Sequence, residues 1–268
     1  MGTLFFELAL TLYFAGFILG IVGIIRKKNE LDEAVFLLGL GGFGLHTVYL
    51  FVRYINSGQA PVFSMHEASS FFAWSVMFTS LVIRFYHKTK ILNFSLILVF
   101  ALMFISAFFS RIIPSLKPEQ KSFWIDIHAL TAVFGISLFS LAFVLSILYL
   151  LQEKAIKNKK LRAFLNMIPS LEVLDKINYQ LIFWGFPIYS LALIVGLIKY
   201  YSMHGFLFDP KEVMTLMTWV VYLVIFYLRV KEDWRKKRAA YLTIFGFLLV
   251  IIGFFGINLL TESFHRLI

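Results

Sequence analysis

Six histidines and no cysteine set the metal chemistry open to this chain of 268 residues. Disulfides, thiol exchange, zinc thiolates, iron–sulfur ligation and covalent haem attachment through CxxCH are excluded, so a metal must be held by imidazole, carboxylate or thioether. His128 opens one long apolar run and His265 follows another, and threading the runs through a bilayer brings both to the same level. Two imidazoles at one level can ligate an iron from opposite faces of a haem. Taken singly, each also reads as an ordinary interfacial polar residue. His46 lies about ten residues inside its run, or roughly 15 Å deep at the rise of a helix. An ionisable group at that depth is costly and therefore a functional candidate, and Gly41, Gly42 and Gly44 would let another helix or a flat ligand come close. A histidine hydrogen-bonded to a neighbouring helix is the alternative. His66 and His204 fall on loops at the level of His128, where solvation is the ordinary state, and His87 falls at the opposite end.

A further candidate is the stretch GFLFDPKEVMTLMTW at 205–219. Phe206, Phe208 and Trp219 offer aromatic faces, and Asp209, Lys211 and Glu212 offer hydrogen bonds and charge, which together suit a porphyrin ring and its propionates. The same residues also spell a helix start, with Asp209 as cap and Pro210 in the first helical position. On residue chemistry alone the capping role is the stronger one.

The elements that carry these residues are eight apolar runs at 3–25, 34–56, 68–86, 91–110, 125–152, 177–201, 213–231 and 239–260. A bilayer core about 30 Å thick requires roughly 20 apolar residues per helix, so the expected fold is all-α: a polytopic membrane bundle of about eight transmembrane helices forming one domain over 1–268. An apolar content of 60%, with 18% aromatic residues, excludes an ordinary water-soluble domain. The first run has no basic residue before it and meets Arg26, Lys27 and Lys28 directly after it, so it reads as a retained helix rather than a cleaved signal.

The net charge of +10 is distributed by topology. Of the 25 Lys and Arg, 18 fall on one set of alternating loops and 7 on the other, while the 15 carboxylates divide 8 to 7. The rich side, with Arg84, Lys88, Lys90, the stretch from Lys154 to Arg162 and the cluster from Arg235 to Arg238, is cytoplasmic by the positive-inside rule. Both termini are then expected outside. The basicity is a topological signal with some affinity for anionic lipid, and no nucleic-acid partner is expected. Residues 153–176 mix basic and apolar types around Pro169, as in a helix lying on the cytoplasmic interface or a solvated linker.

DPKEVMTLMTWVVY, followed after four residues by YLR, resembles the core signature of the cytochrome c assembly family, the CcsA/ResC-type haem-handling membrane proteins. The resemblance continues through APVFSMHEASSFFAW at 60–74, HALTAVFGISLFSLAFVLSILYLLQEK at 128–154, IPSLEVLDKINYQLIFWGFPIYSLALIVG at 168–196 and GFLLVIIGFFGINLLTESFH at 246–265. It implies that His128 and His265 are axial ligands to non-covalent haem b at the outer face, and that Phe206 to Asp209 form the aromatic haem-supporting loop. It further implies that His46 is the intramembrane histidine and Glu67 the glutamate of the adjoining loop. Two departures are visible: 202–209 contains no tryptophan, and Tyr227 stands where the family places a second intramembrane histidine.

The function implied is to transport or present haem at the outer membrane face for covalent attachment to apocytochrome c, within a haem lyase (synthase) complex. The implied partners are haem, apocytochrome c, a ResB/CcsB-type membrane protein and the lipid bilayer, and the expected location is the bacterial cytoplasmic (inner) membrane, multi-pass. The eight-helix plan equally resembles the HemX-like branch, which implies a regulator of haem biosynthesis acting on glutamyl-tRNA reductase through the cytoplasmic loops. A b-type electron carrier would need histidine pairs at two depths, and only His46 is deep. A transporter would need more buried acids than this sequence offers.

Overall fold

The structure, a computed structural model, describes residues 2–26, 28, 30–113, 116, 121–158, 168–204, 210–231 and 236–252. These residues form eight helices: α1 (Gly2–Arg26), α2 (Leu31–Ser57), α3 (Met65–His87), α4 (Ile91–Phe108), α5 (Phe123–Lys157), α6 (Leu171–His204), α7 (Pro210–Val230) and α8 (Lys237–Ile251). Seven are long and apolar enough to cross a membrane. The described part of α8 is 15 residues long, and the remainder of its apolar run lies outside the described residues. The protein is therefore an all-helical, multi-pass membrane protein. Many large apolar side chains, among them Ile25, Phe51, Phe108 and Trp184, point outward, as a bilayer requires.

The chain divides into two compact units, one comprising residues 1–113 and 154–170 and the other residues 114–153 and 171–268. In the first, α1 pairs with α2, α3 pairs with α4, and α1 also packs on α4. Lipid is as apolar as leucine, so close backbone approach and buried polar contacts supply the association. Gly16 of α1 lies against Leu96 and Leu38, and Gly20 lies against Asn93. A methyl group added at Gly42 would meet the Tyr13 ring at 2.7 Å, so this glycine is what admits the ring between α1 and α2. Away from the α1 start, Asp32 joins α2 to α4 by accepting from Asn93 at 2.9 Å and pairing with Lys90 at 2.9 Å.

The α2–α3 connection is built by turn chemistry. Gly58 takes the left-handed conformation that ends α2, with φ 64°, and Ser64 caps α3 by accepting from the Glu67 backbone N–H at 3.1 Å. This Ser-x-x-Glu pattern is a capping box at the sequence level. The Glu67 side chain bonds elsewhere: Oε2 accepts from the Phe63 N–H at 3.1 Å and Oε1 from Arg53 Nε at 2.7 Å.

The second unit packs α5 to α8 around aromatic rings. Phe139 of α5 stacks on Tyr222 of α7, with centroids 3.5 Å apart and planes 11° from parallel, and Phe143 meets Phe247 of α8 at 4.9 Å. Gly185 of α6 faces Phe139, and Gly135 of α5 faces the Tyr189 backbone, so α5 and α6 approach closely at two levels. Pro187 interrupts the hydrogen-bond ladder of α6. At the far end Arg229 donates to the Asp175 carboxylate at 2.6 Å and to the Asp175 carbonyl at 2.8 Å, fixing α7 to α6. Residues up to Lys157 of the expected interfacial segment continue α5, α6 begins at Leu171, and 159–167 lie outside the described residues.

Candidate functional site

His128 is the sixth residue of α5 and is half-buried against α6. Its Nδ1 lies 2.7 Å from the Ala192 carbonyl oxygen, which can only accept, so Nδ1 carries the proton and Nε2 is the basic nitrogen. This Nδ1–H to carbonyl bond is the outer-shell arrangement that orients metal-binding histidines and sets their tautomer. Gly196, one turn along from Ala192, makes room for the ring: a methyl group there would lie 2.5 Å from Cε1 and 2.6 Å from Nδ1. An axial role for His128 therefore fits the local chemistry. Trp219 of α7 is gripped by the same helix, since its Nε1–H donates to Ser190 Oγ at 2.8 Å and its ring lies 5.7 Å from Phe186. Ser190 and Ala192 are two residues apart, so α6 holds the imidazole and the indole within one turn of each other.

The helix α7 begins at Pro210, as the Asp-Pro signal requires. Phe206, Phe208, Asp209 and His265, together with the side chain of Lys211, lie outside the described residues. Tyr227, at the place of the family's second intramembrane histidine, is 54% exposed, and Lys231 Nζ sits 4.6 Å from its ring centroid. It points away from the packed interior of its unit. Among the described residues no group of three His, Asp or Glu side chains is arranged to hold a bare metal ion.

His46 belongs to the first unit and is fully buried. Its Nε2 contacts Ser70 Oγ of α3 at 2.8 Å, while its Nδ1 lies 3.5 Å from the Tyr13 hydroxyl of α1, at the limit of a hydrogen bond. One imidazole thus links α2, which carries it, to α1 and α3. The Gly42 gap seats its Tyr13 neighbour.

His66 corrects the sequence expectation. It is not a solvated loop residue but the second residue of α3, fully buried. Its Nδ1–H donates to the Ser106 carbonyl at 2.9 Å, Nε2 accepts from the Tyr49 hydroxyl at 2.7 Å, and Ser106 Oγ donates back to the His66 carbonyl at 2.8 Å. Both ring nitrogens are engaged, so His66 ties α2, α3 and α4 together instead of offering a ligand. The capping pattern Ser64-x-x-Glu67 was the signal that places it inside the helix. Tyr13, Tyr49, Ser70 and Ser106 carry no signal in sequence, because the partner of each comes from another helix.

The family model for cytochrome c assembly proteins matches residues 63–265. The chain belongs to the cytochrome c assembly family. Among curated members, the cytochrome c biogenesis protein CcsA of Guillardia theta is 30% identical over 91% of this chain and 89% of its own length. CcsA of Pyropia yezoensis is 27% identical over 82% of each chain. Protein HemX of Brevibacillus brevis is 25% identical over 97% of this chain and 96% of its own. The family match covers His128, Trp219 and the His66–Glu67 turn, while His46 precedes it.

Proposed function

We propose that this member of the cytochrome c assembly family acts in cytochrome c biogenesis by binding haem b non-covalently near the outer membrane face and presenting it to apocytochrome c. The observation that carries this reading is the His128 imidazole, held by the Ala192 carbonyl with Nε2 as its basic nitrogen. His128 and His265 supply the two axial imidazoles. Phe206, Phe208 and Trp219 support the ring, Lys211 and Asp209 meet its polar edge, and His46 is a deeper way-station or a structural donor. Haem is the cargo, and its iron supplies the coordination chemistry that the two imidazoles satisfy. Trp219 is anchored by Ser190, so this support stays fixed relative to His128. In the same reading the protein lies in the bacterial cytoplasmic membrane and works with a ResB/CcsB-type partner in a haem lyase complex.

The decisive experiment replaces His128 and His265 singly by Gly in full-length protein and measures the pyridine haemochrome spectrum. Both variants should lose haem, and added imidazole should restore part of it. Wild-type occupancy in both variants would refute axial ligation.

A second reading follows from the resemblance to the HemX-like branch, in which the protein regulates haem biosynthesis by acting on glutamyl-tRNA reductase; protein HemX of Brevibacillus brevis matches over nearly the whole chain. Deleting the chain separates the two. Loss of covalent haem attachment with normal haem-precursor levels supports presentation. Normal c-type cytochromes with altered glutamyl-tRNA reductase abundance supports regulation.

A further inference from the structure

Two arginines lie at the end of the first unit where α1 begins, and the presentation reading uses neither. Arg53 lies one turn along α2 from Tyr49, and its Nε is held by Glu67. Both Glu67 oxygens are committed, one to Arg53 and one to the Phe63 N–H. Arg53 Nη2 is enclosed and has no hydrogen-bond partner. Arg111 follows α4, with its Cζ 4.8 Å over the Phe6 ring, and that ring lies 5.0 Å from the His66 ring and 5.3 Å from Tyr49. Arg53 is held by Glu67, the neighbour of His66, and Arg111 lies over Phe6, so both guanidiniums border the Phe6–Tyr49–His66 ring cluster. Arg111 is paired with the Glu7 carboxylate at 2.9 Å, and the two side chains are 32% and 58% exposed.

We propose that this place is an oxyanion-binding site in which Glu7 stands in for the ligand. A solvent-screened ion pair such as Arg111–Glu7 is readily exchanged, and an enclosed guanidinium N–H without a partner is unfavourable until an oxygen reaches it. With Glu7 in place, the charges of Arg53, Arg111, Glu67 and Glu7 balance. When Glu7 swings into water the site carries one net positive charge, bidentate guanidinium geometry and an aromatic floor, which suit a carboxylate or a phosphate monoanion. The ligand oxyanion bonds Arg111 and reaches Arg53 Nη2. Two sources share this chemistry: a propionate of haem, which rests on the presentation reading, and the phosphate of an anionic lipid, which does not.

The test uses full-length protein in nanodiscs and compares Glu7→Gln, Arg111→Gln and Arg53→Lys, with unfolding midpoints measured without probe to confirm that each folds. Binding of haem is set against binding of haem dimethyl ester, whose carboxylates are blocked, and phosphatidylglycerol retention is set against phosphatidylcholine by native mass spectrometry. Glu7→Gln removes the internal competitor and should tighten binding. Arg111→Gln should weaken it about tenfold, the loss of one charge-assisted hydrogen bond, and Arg53→Lys should weaken it in the same direction. If these opposite responses appear with haem and vanish with the ester, the ligand is a propionate. If they appear only with phosphatidylglycerol, it is a lipid phosphate. A wild-type protein that binds neither haem nor ester refutes haem presentation while the lipid arm still decides the site. If Glu7→Gln and Arg111→Gln fail to move either acidic probe in opposite directions, the site is overturned.

Discussion

Replacing Gly196 by Ala tests the setting of His128 without touching the imidazole itself. The added methyl group would lie 2.5 Å from Cε1, 2.6 Å from Nδ1 and 3.3 Å from Nε2 of His128. Ordinary carbon contacts need about 3.5–4.0 Å, so the ring must retreat by about 1 Å along the direction of the clash. That displacement breaks the 2.7 Å bond from Nδ1–H to the Ala192 carbonyl. Overpacking costs about 1–3 kcal/mol, and alanine's better helix propensity returns about 0.5–1 kcal/mol, leaving a net destabilisation of at most about 2.5 kcal/mol. If His128 ligates haem iron, loss of its orienting bond lowers affinity by about 10- to 100-fold, as outer-shell changes at metal sites do. Haem titration by visible absorption and a thermal unfolding scan measure both quantities on the same sample. Gly44→Ala is the control, because nothing lies within 4 Å of the added group, and it should leave haem affinity unchanged. The reasoning fails if Gly196→Ala binds haem as tightly as the wild type, or if Gly44→Ala weakens binding equally.

Asp175→Ala should lower stability by about 3 kcal/mol, because Arg229 is only 2% exposed and loses the partner of its charge; adding Arg229→Met should recover most of this, as read from unfolding in detergent. Lys236 sits at φ 71°, so Lys236→Gly should raise the unfolding free energy by about 1 kcal/mol while keeping the backbone bond to Asp175. Ser263→Cys should label with a membrane-impermeant thiol reagent in intact cells and Asn158→Cys should not; the reverse pattern inverts the orientation read from the charged loops.

The helices were legible because lipid imposes a length and a composition on every one of them. Their ends were less so. The apolar run at 177–201 marks the lipid-facing part of α6, but the helix starts at Leu171, because Glu172, Asp175 and Lys176 extend it into the polar zone where hydropathy gives no signal. His66 was misplaced for the same reason: it precedes the apolar run but follows the cap. His46 was found because a lone ionisable residue in an apolar run is conspicuous, whereas its contacts to Tyr13 and Ser70 depend on which helices meet. The same limit hid Arg229 and Asp175, 54 residues apart in sequence. The His128 position was readable, but the Ala192 carbonyl and Gly196 that set its ring were not, since a backbone oxygen and a missing side chain leave no mark on residue type.

The division of polar partners between α2 and α3 bears on how the protein enters its membrane. His46, Tyr49 and Arg53 travel on the first helical hairpin, while Ser70, His66 and Glu67, which bond them, travel on the second. Until the second hairpin arrives, α2 carries an imidazole, a phenol and a guanidinium with these contacts unmade, an expensive state in lipid. The α1–α2 hairpin therefore gains little by leaving the insertion machinery early. The two hairpins are released most favourably as a pair, and a chain truncated after α2 displays a polar stripe that membrane quality control can recognise.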